Sequence, residues 1–271
     1  MEVVFYNGEF IAKKDVFISS NSRAFNYGDG FFETIKIINS KLFNFSCHMQ
    51  RIKLALSTLK LNDNYTSAFF QTKMSHLLKV NKIIHGSIKI HISRNGSGKY
   101  LPKSNHSDLI ISTSSGHSYK EESAISLCFF DEEYKALGAL SNIKSINSLV
   151  SVLASIHANE NNFDNAILLN NSGNAIEATN ANIFILKNKN IYTPPISDGC
   201  VDGTMRKWII NELDVIEKSI LSAEILNADE IFITNATSGV TSVRTIGKIS
   251  FTSFNIANYL QKKLINLSLD L

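Results

Sequence analysis

The sequence predicts a chain of mixed α+β and α/β character in two domains: a small N-terminal α+β domain and a larger C-terminal domain of sheet with flanking helices. Three observations carry this expectation. At 271 residues the chain exceeds the roughly 100–200 residues typical of one domain. Short strand-like runs alternate with longer stretches of helical spacing in both halves. Between the halves, Ser112 to Glu122, reading Ser-Thr-Ser-Ser-Gly-His-Ser-Tyr-Lys-Glu-Glu, follows neither period. We therefore expect a first domain over residues 1–115, a linker over 116–122 and a second domain over 123–271.

Taken in order, Val3 to Phe5 and Glu9 to Ala12 flank Asn7-Gly8, the turn pair that tolerates positive φ in a tight hairpin. Phe31 to Ile38 and Lys41 to Asn44 form a second strand pair around Asn39-Ser40. From Ser46, taken as N-cap, His48, Ile52, Leu54, Ala55, Leu56 and Leu59 mark a helix. Ser67 to Lys79 gives another helix, and Gly86 to Ser93 alternates as a strand. In the second half, Ala124 to Phe130 reads as a strand and Ser148 to Glu160 as a helix. Ala166 to Leu169, Ala175 to Ala178 and Asn182 to Leu186 are strands in close succession. A short strand at Ile191-Tyr-Thr precedes Pro194-Pro195, Gly203 opens a helix running to Leu213, and Glu230 to Thr234 is again strand.

Composition narrows the function classes. Hydrophobic residues make up 44% and charged residues 19%, with a net charge of +3. These are values of an ordinary globular protein, without the basic face that nucleic acid requires. No apolar run approaches the roughly 18 residues of a membrane span, and the start, Met1-Glu2-Val3-Val4-Phe5-Tyr6, lacks a signal-type pattern. A cytoplasmic location is the expectation. Cys47, Cys128 and Cys200 are odd in number and lack paired spacing, as in a reducing compartment. The seven histidines show no metal-ligand spacing, no Gly-x-Ser-x-Gly elbow is present, and Gly96-Ser-Gly98 lacks the strand, helix and later acid of a nucleotide site.

The chemistry lies in four segments. Lys144 stands in Ser-Asn-Ile-Lys-Ser-Ile-Asn-Ser-Leu, and Glu177 follows in Asn-Ala-Ile-Glu-Ala-Thr-Asn-Ala-Asn-Ile-Phe. Upstream are Arg23-Ala-Phe-Asn-Tyr-Gly-Asp-Gly-Phe-Phe-Glu-Thr34 and His48-Met-Gln-Arg51. Over nearly the whole chain these segments resemble the class IV aminotransferases, the fold type IV pyridoxal-phosphate enzymes. That family holds branched-chain aminotransferases, D-amino-acid aminotransferases and 4-amino-4-deoxychorismate lyases.

The resemblance implies pyridoxal 5'-phosphate as cofactor and assigns roles to its residues. Lys144 would form the imine link and then act as general base on the substrate. Glu177 would keep the ring nitrogen protonated, so that the ring can absorb the charge left by proton abstraction. Arg51 would meet the phosphate as a guanidinium fork. Thr204, in Gly203-Thr-Met-Arg206, together with Thr237 and Ser238, in Asn235-Ala-Thr-Ser-Gly239, would complete the phosphate loops. Arg94 and Lys99 are candidate cations for substrate carboxylates, although Arg94 suits a structural strand-end role equally. Phe32 faces the substrate by the same comparison. The family also implies a homodimer acting on a small amino-bearing molecule, with no metal.

Among the subgroups, the carboxylate trap of the D-amino-acid enzymes, a Tyr, an Arg and a His, corresponds here to Phe32, Lys99 and Leu101. The tyrosine that branched-chain enzymes carry five residues after the lysine is Leu149. Lys144-x-x-Asn147, Ile88-Lys-Ile-His-Ile-Ser-Arg94-Asn-Gly-Ser-Gly-Lys-Tyr100 and Gly203-x-Met-Arg206 are most similar to the lyases, except for Lys99, where those enzymes have arginine. The leading expectation is 4-amino-4-deoxychorismate lyase, and amino-acid aminotransferase is the alternative. A cofactor-binding protein without turnover is more remote, because storage alone requires neither a base nor an electron-sink acid.

Overall fold

The computed structural model describes residues 2–270. They form two compact units: one holds the chain up to Ser118 together with Ile143–Asn147, and the other holds Tyr119–Asn142 and Ser148–Asp270.

The first unit runs β1 (Val3–Tyr6), β2 (Glu9–Ala12), α1 (Arg23–Tyr27), β3 (Gly30–Ile38), β4 (Lys41–Leu42), α2 (Phe45–Thr58), α3 (Ser67–Val80), β5 (Gly86–Arg94) and β6 (Ser107–Ser115). Its six strands form one antiparallel sheet in the order β2-β1-β6-β5-β3-β4. Strand alternation separates the two faces. Phe31, Ile35, Ile37, Ile88, Ile90, Ile92, Leu109 and Ile111 pack with Ile52, Leu56, Phe70, Met74 and Leu77 of α2 and α3. Each fully buried isoleucine there contributes about 1.5–3 kcal/mol. The opposite face carries Phe32, Thr34, Lys89, His91 and Ser112.

Two expectations change in this unit. Asn44, not Ser46, is the N-cap of α2, with φ 52°, a left-handed conformation that asparagine tolerates better than most residues. Ser112 to Ser115 is strand, paired with Lys89 to Gly86, because Leu109, Ile111 and Thr113 form one buried row and Ser112 and Ser114 fall on the other.

The second unit runs β7 (Ile125–Lys135), α4 (Ala139–Asn142), α5 (Leu149–Glu160), β8 (Asn165–Asn170), β9 (Asn174–Ala178), β10 (Ala181–Lys187), β11 (Asn190–Thr193), α6 (Thr204–Glu212), β12 (Val215–Glu217), β13 (Ile220–Leu221), α7 (Ser222–Leu226), β14 (Glu230–Asn235), β15 (Gly239–Ile246), β16 (Ile249–Ser250) and α8 (Asn255–Leu269). The path β12-β11-β10-β14-β15-β7-β8-β9-β13 is joined to itself by a β9–β10 pairing. Six strands, β10-β14-β15-β7-β8-β9, therefore close into a ring. Inside it Leu127, Ile167, Ile183, Ile185, Ile231, Ile233 and Val243 pack together. Cys128, Phe130, Ala166 and Leu168 instead meet Ala154 and Ala158 of α5.

The segment Ile143–Asn147 belongs to the first unit, although it lies in sequence within the second. The Phe32 N–H donates to the Lys144 carbonyl at 2.9 Å and the Ile146 N–H to the Gly30 carbonyl at 3.1 Å. Phe31 and Ser145 form a bridge, and Ile143 enters the first core. Gly30 permits this approach, because a Cβ there would stand 2.6 Å from the Ile92 carbonyl oxygen and 2.8 Å from Ile146 Cδ1.

Candidate active site

In the first unit, the bridge to β3 fixes the backbone of Lys144, and its Nζ lies 4.6 Å from the centroid of the Phe32 ring. Lys89 Nζ lies 4.9 Å from the same ring, and His91, the cross-strand partner of Phe32, has its ring 6.0 Å away. Lys89 is exposed and makes no ion pair among the described residues. Burial, helped by the Lys89 charge, holds His91 down to about 4, so near neutral pH it offers one donor and one acceptor without charge.

On the core face of β3, Glu33 is 1% exposed. It accepts Arg51 Nε at 2.6 Å and Nη2 at 2.7 Å, and lies 2.7 Å from His48 Nδ1. Burial would raise its carboxyl, but the Arg51 charge and the bonds from His48 and Arg51 outweigh burial and hold it at about 2. His48 is pushed below its ordinary range by burial, against the pull of Glu33, with the Arg51 and Lys144 charges adding to burial. One turn of α2 thus presents both bases to a single strand carboxylate, which fixes the plane of the guanidinium. Glu33 was not singled out from sequence. The available signal was its place in the buried row of Phe31, Ile35 and Ile37.

Arg94 takes the structural role. It is 7% exposed and donates to Asp29 at 3.0 Å, to Asn105 Oδ1 at 2.7 Å and to the Leu59 carbonyl. Asp29 also accepts Arg23 Nε at 2.8 Å, and Arg23 donates to the Lys99 carbonyl at 2.6 Å. This places Arg94 in a buried network rather than before a substrate. The side chain of Lys99 is exposed, beside Tyr100 and Leu101 at 88% and 85% exposure.

The second unit holds the other sequence-derived candidates. Glu177 on β9 is 5% exposed; its Oε2 accepts the Val201 N–H at 2.8 Å, and its Oε1 accepts Lys135. Lys135 belongs to no motif and was not singled out from sequence; its neighbours Asp131, Glu132 and Glu133 are acidic. Thr204 is the first residue of α6 and 2% exposed. Gly203 before it is required by Asn182, whose Oδ1 would lie 1.9 Å from an added Cβ. The N-cap Gly203 brings no side-chain cap of its own, and a helix start of this kind suits an anion. In the same turn, Arg206 is buried and its Nε has no hydrogen-bond partner. Thr237 and Ser238 occupy the turn between β14 and β15, where Asn235 Oδ1 accepts both their backbone amides, at 3.0 and 2.9 Å.

The donor set fits pyridoxal phosphate. The first unit supplies an amine against an aromatic ring and a buried guanidinium, and the second a buried carboxylate able to hold a proton on a ring nitrogen and a helix start opened by glycine. Residues 30–246 match the family model described as amino-transferase class IV. The chain is 25% identical over 255 residues to a D-alanine aminotransferase of Bacillus licheniformis, covering 90% of this chain and 88% of that protein. It is 30% identical over 258 residues to an aminodeoxychorismate lyase of Vibrio harveyi, covering 89% and 93%. Its fold matches the crystal structure of a branched-chain aminotransferase from Thermoproteus uzoniensis with norvaline, at a TM-score of 0.91 and 21% identity, covering 99% and 95%. With the matched region spanning most of the sequence, the chain belongs to the class IV aminotransferases, pyridoxal-phosphate-dependent enzymes of mixed α and β fold.

Proposed function

We propose that the enzyme is a 4-amino-4-deoxychorismate lyase, releasing pyruvate and 4-aminobenzoate. The observation that carries this reading is the pair of ammonium groups, Lys89 and Lys144, against one face-exposed ring, Phe32. A cyclic substrate with two carboxylates needs an aromatic surface to lie on and a cation other than the lysine that handles its amine. Lys89 supplies that cation.

Bound pyridoxal phosphate supplies a carbonyl that captures the substrate amine and a ring that takes up electron density. Lys144 takes the proton from the substrate ring carbon bearing nitrogen. The electron pair left behind expels the enolpyruvyl group, which takes up a proton and leaves as pyruvate while the ring becomes aromatic. Glu177 holds a proton at the cofactor's ring nitrogen. With the cofactor bound, Arg51 of the first unit and Thr204, Thr237 and Ser238 of the second would meet its phosphate.

The test is to mix the purified holoenzyme with 4-amino-4-deoxychorismate and follow 4-aminobenzoate and pyruvate, with amino acids and 2-oxoglutarate in parallel. Equimolar 4-aminobenzoate and pyruvate supports the lyase. Keto acid formed from an amino acid, without 4-aminobenzoate, replaces it with the aminotransferase reading, which the similarity to D-alanine aminotransferase favours.

We also infer a homodimer. In support, α5 carries Leu149, Val152, Leu153 and Ile156 on one stripe, at 70, 50, 47 and 48% exposure, an apolar row of the kind that marks contact surfaces.

A further inference from the structure

Lys135 reaches Glu177 by a detour of the chain. β7 pairs with β8 up to Phe130↔Leu168, departs over four exposed residues, and pairs again at Lys135↔Asn170. On its return the Lys135 ammonium donates to Glu177 Oε1 and to the Ser141 carbonyl at 3.1 Å. The other oxygen of Glu177 is fixed separately: the Val201 N–H donates to it at 2.8 Å, and Asn182 Nδ2 holds the Val201 carbonyl at 2.8 Å. The two charged side chains are 20% and 7% exposed, so little water reaches the pair. The same ammonium thus binds the carboxylate and the α4 segment three residues before Lys144.

We propose that Lys135 is a positioning residue that keeps the Glu177 carboxylate ionised and oriented, so that the proton between that carboxylate and the cofactor's ring nitrogen rests on the nitrogen. This builds on the assignment of Glu177 to the ring nitrogen. A buried carboxylate with no cation beside it favours its protonated form, and an adjacent opposite charge reverses the preference. Because the ammonium touches the carboxylate oxygen directly, it weakens that oxygen as a base more than it weakens any group beyond it. Without Lys135 the proton is drawn toward Glu177, and the ring loses its capacity to accept electrons.

The experiment reconstitutes wild-type protein and variants with cofactor labelled with 15N at the ring nitrogen. Lys135→Met is expected to move the ring resonance toward its unprotonated position at neutral pH, and to lower kcat by about tenfold or more, the scale of a neighbouring-charge effect. Lys135→Arg is expected to restore both. In a Glu177→Gln background, Lys135→Met is expected to shift the resonance no further. A Lys135→Met protein with a native circular dichroism spectrum and an unmoved ring resonance overturns the proposal. Lys135→Gln, which keeps a donor without the charge, carries the same expectation and the same refutation should the methionine variant fail to fold. If Glu177→Gln itself leaves the resonance unmoved, the assignment of Glu177 to the ring nitrogen fails and the proposal falls with it, a result distinct from failure at Lys135 alone.

Discussion

Glu33 shows how one residue can set the acid limit of this protein. Its folded carboxyl sits at about 2 against an ordinary 4.5, so between those values the unfolded chain takes up a proton that the folded chain refuses. Its contribution to stability is therefore complete above about 4.5 and is lost as pH falls toward 2. His48, held below its ordinary 6.5, acts in the same direction from a higher pH, since the unfolded imidazole charges first. Melting temperature against pH should therefore fall below about 6.5 and fall again below 4.5, and Glu33→Gln should flatten the lower limb. That variant should also cost about 3–5 kcal/mol at neutral pH, the usual cost of orphaning a buried charge. Urea unfolding reads this, and a change below about 1 kcal/mol would mean that Arg51 finds other partners. Replacing Lys144 with Ala should abolish turnover while leaving the melting curve near wild type, checked by product assay and calorimetry. Replacing Lys89 with Met should raise KM for a two-carboxylate substrate about 10- to 100-fold, from losing a charged hydrogen bond of about 1.5–3 kcal/mol; an unchanged KM would place the second carboxylate elsewhere.

Among the elements, α8 and β7 show where sequence patterns carry the structure and where they stop. The Asn7-Gly8 hairpin and the α2 and α3 stripes were legible because local spacing alone determines them. The α8 helix was not among the elements read from sequence, and its stripe is broken, because Gln261 and Ser268 stand among Ala257, Leu260 and Leu264 on its buried face. Gln261 is buried for a reason the spacing cannot show. Its Oε1 accepts the Val240 N–H at 2.8 Å, and its Nε2 donates to the carbonyls of Lys120 at 2.6 Å and Ser238 at 3.1 Å. Gln261→Leu should therefore speed amide exchange at Val240 and across the Asn235–Gly239 turn, and should destabilise by about 1–3 kcal/mol for each group left unpaired. Mass spectrometry of deuterium uptake tests it; protection unchanged in that turn would show that the helix does not hold it. β7 was read as ending at Phe130, since nothing in Asp131-Glu132-Glu133-Tyr134 signals a strand that leaves its neighbour and returns.

At the scale of the whole molecule, family membership and the main residue types were readable because motifs survive where the chain must place chemistry. The assignment of Ile143–Asn147 to the first unit was not, because it depends on carbonyls and amides of β3 that any sequence would offer. The choice between the two roles of Arg94 was open in the sequence for a similar reason, its partner Asp29 being 65 residues away. Assembly is testable at this scale: the wild type should scatter light as a dimer, and Leu153→Glu on α5 should shift it toward monomer. The ring of six strands in the second unit has a further consequence. Each strand in it has neighbours on both sides; outside it, β11 lies between β10 and β12, and the strands left with an open edge, β12, β13 and β16, are three, two and two residues long. A stray peptide seeking an open row of amides and carbonyls finds only stubs in this unit, so the architecture protects against amyloid-like templating in the crowded cell.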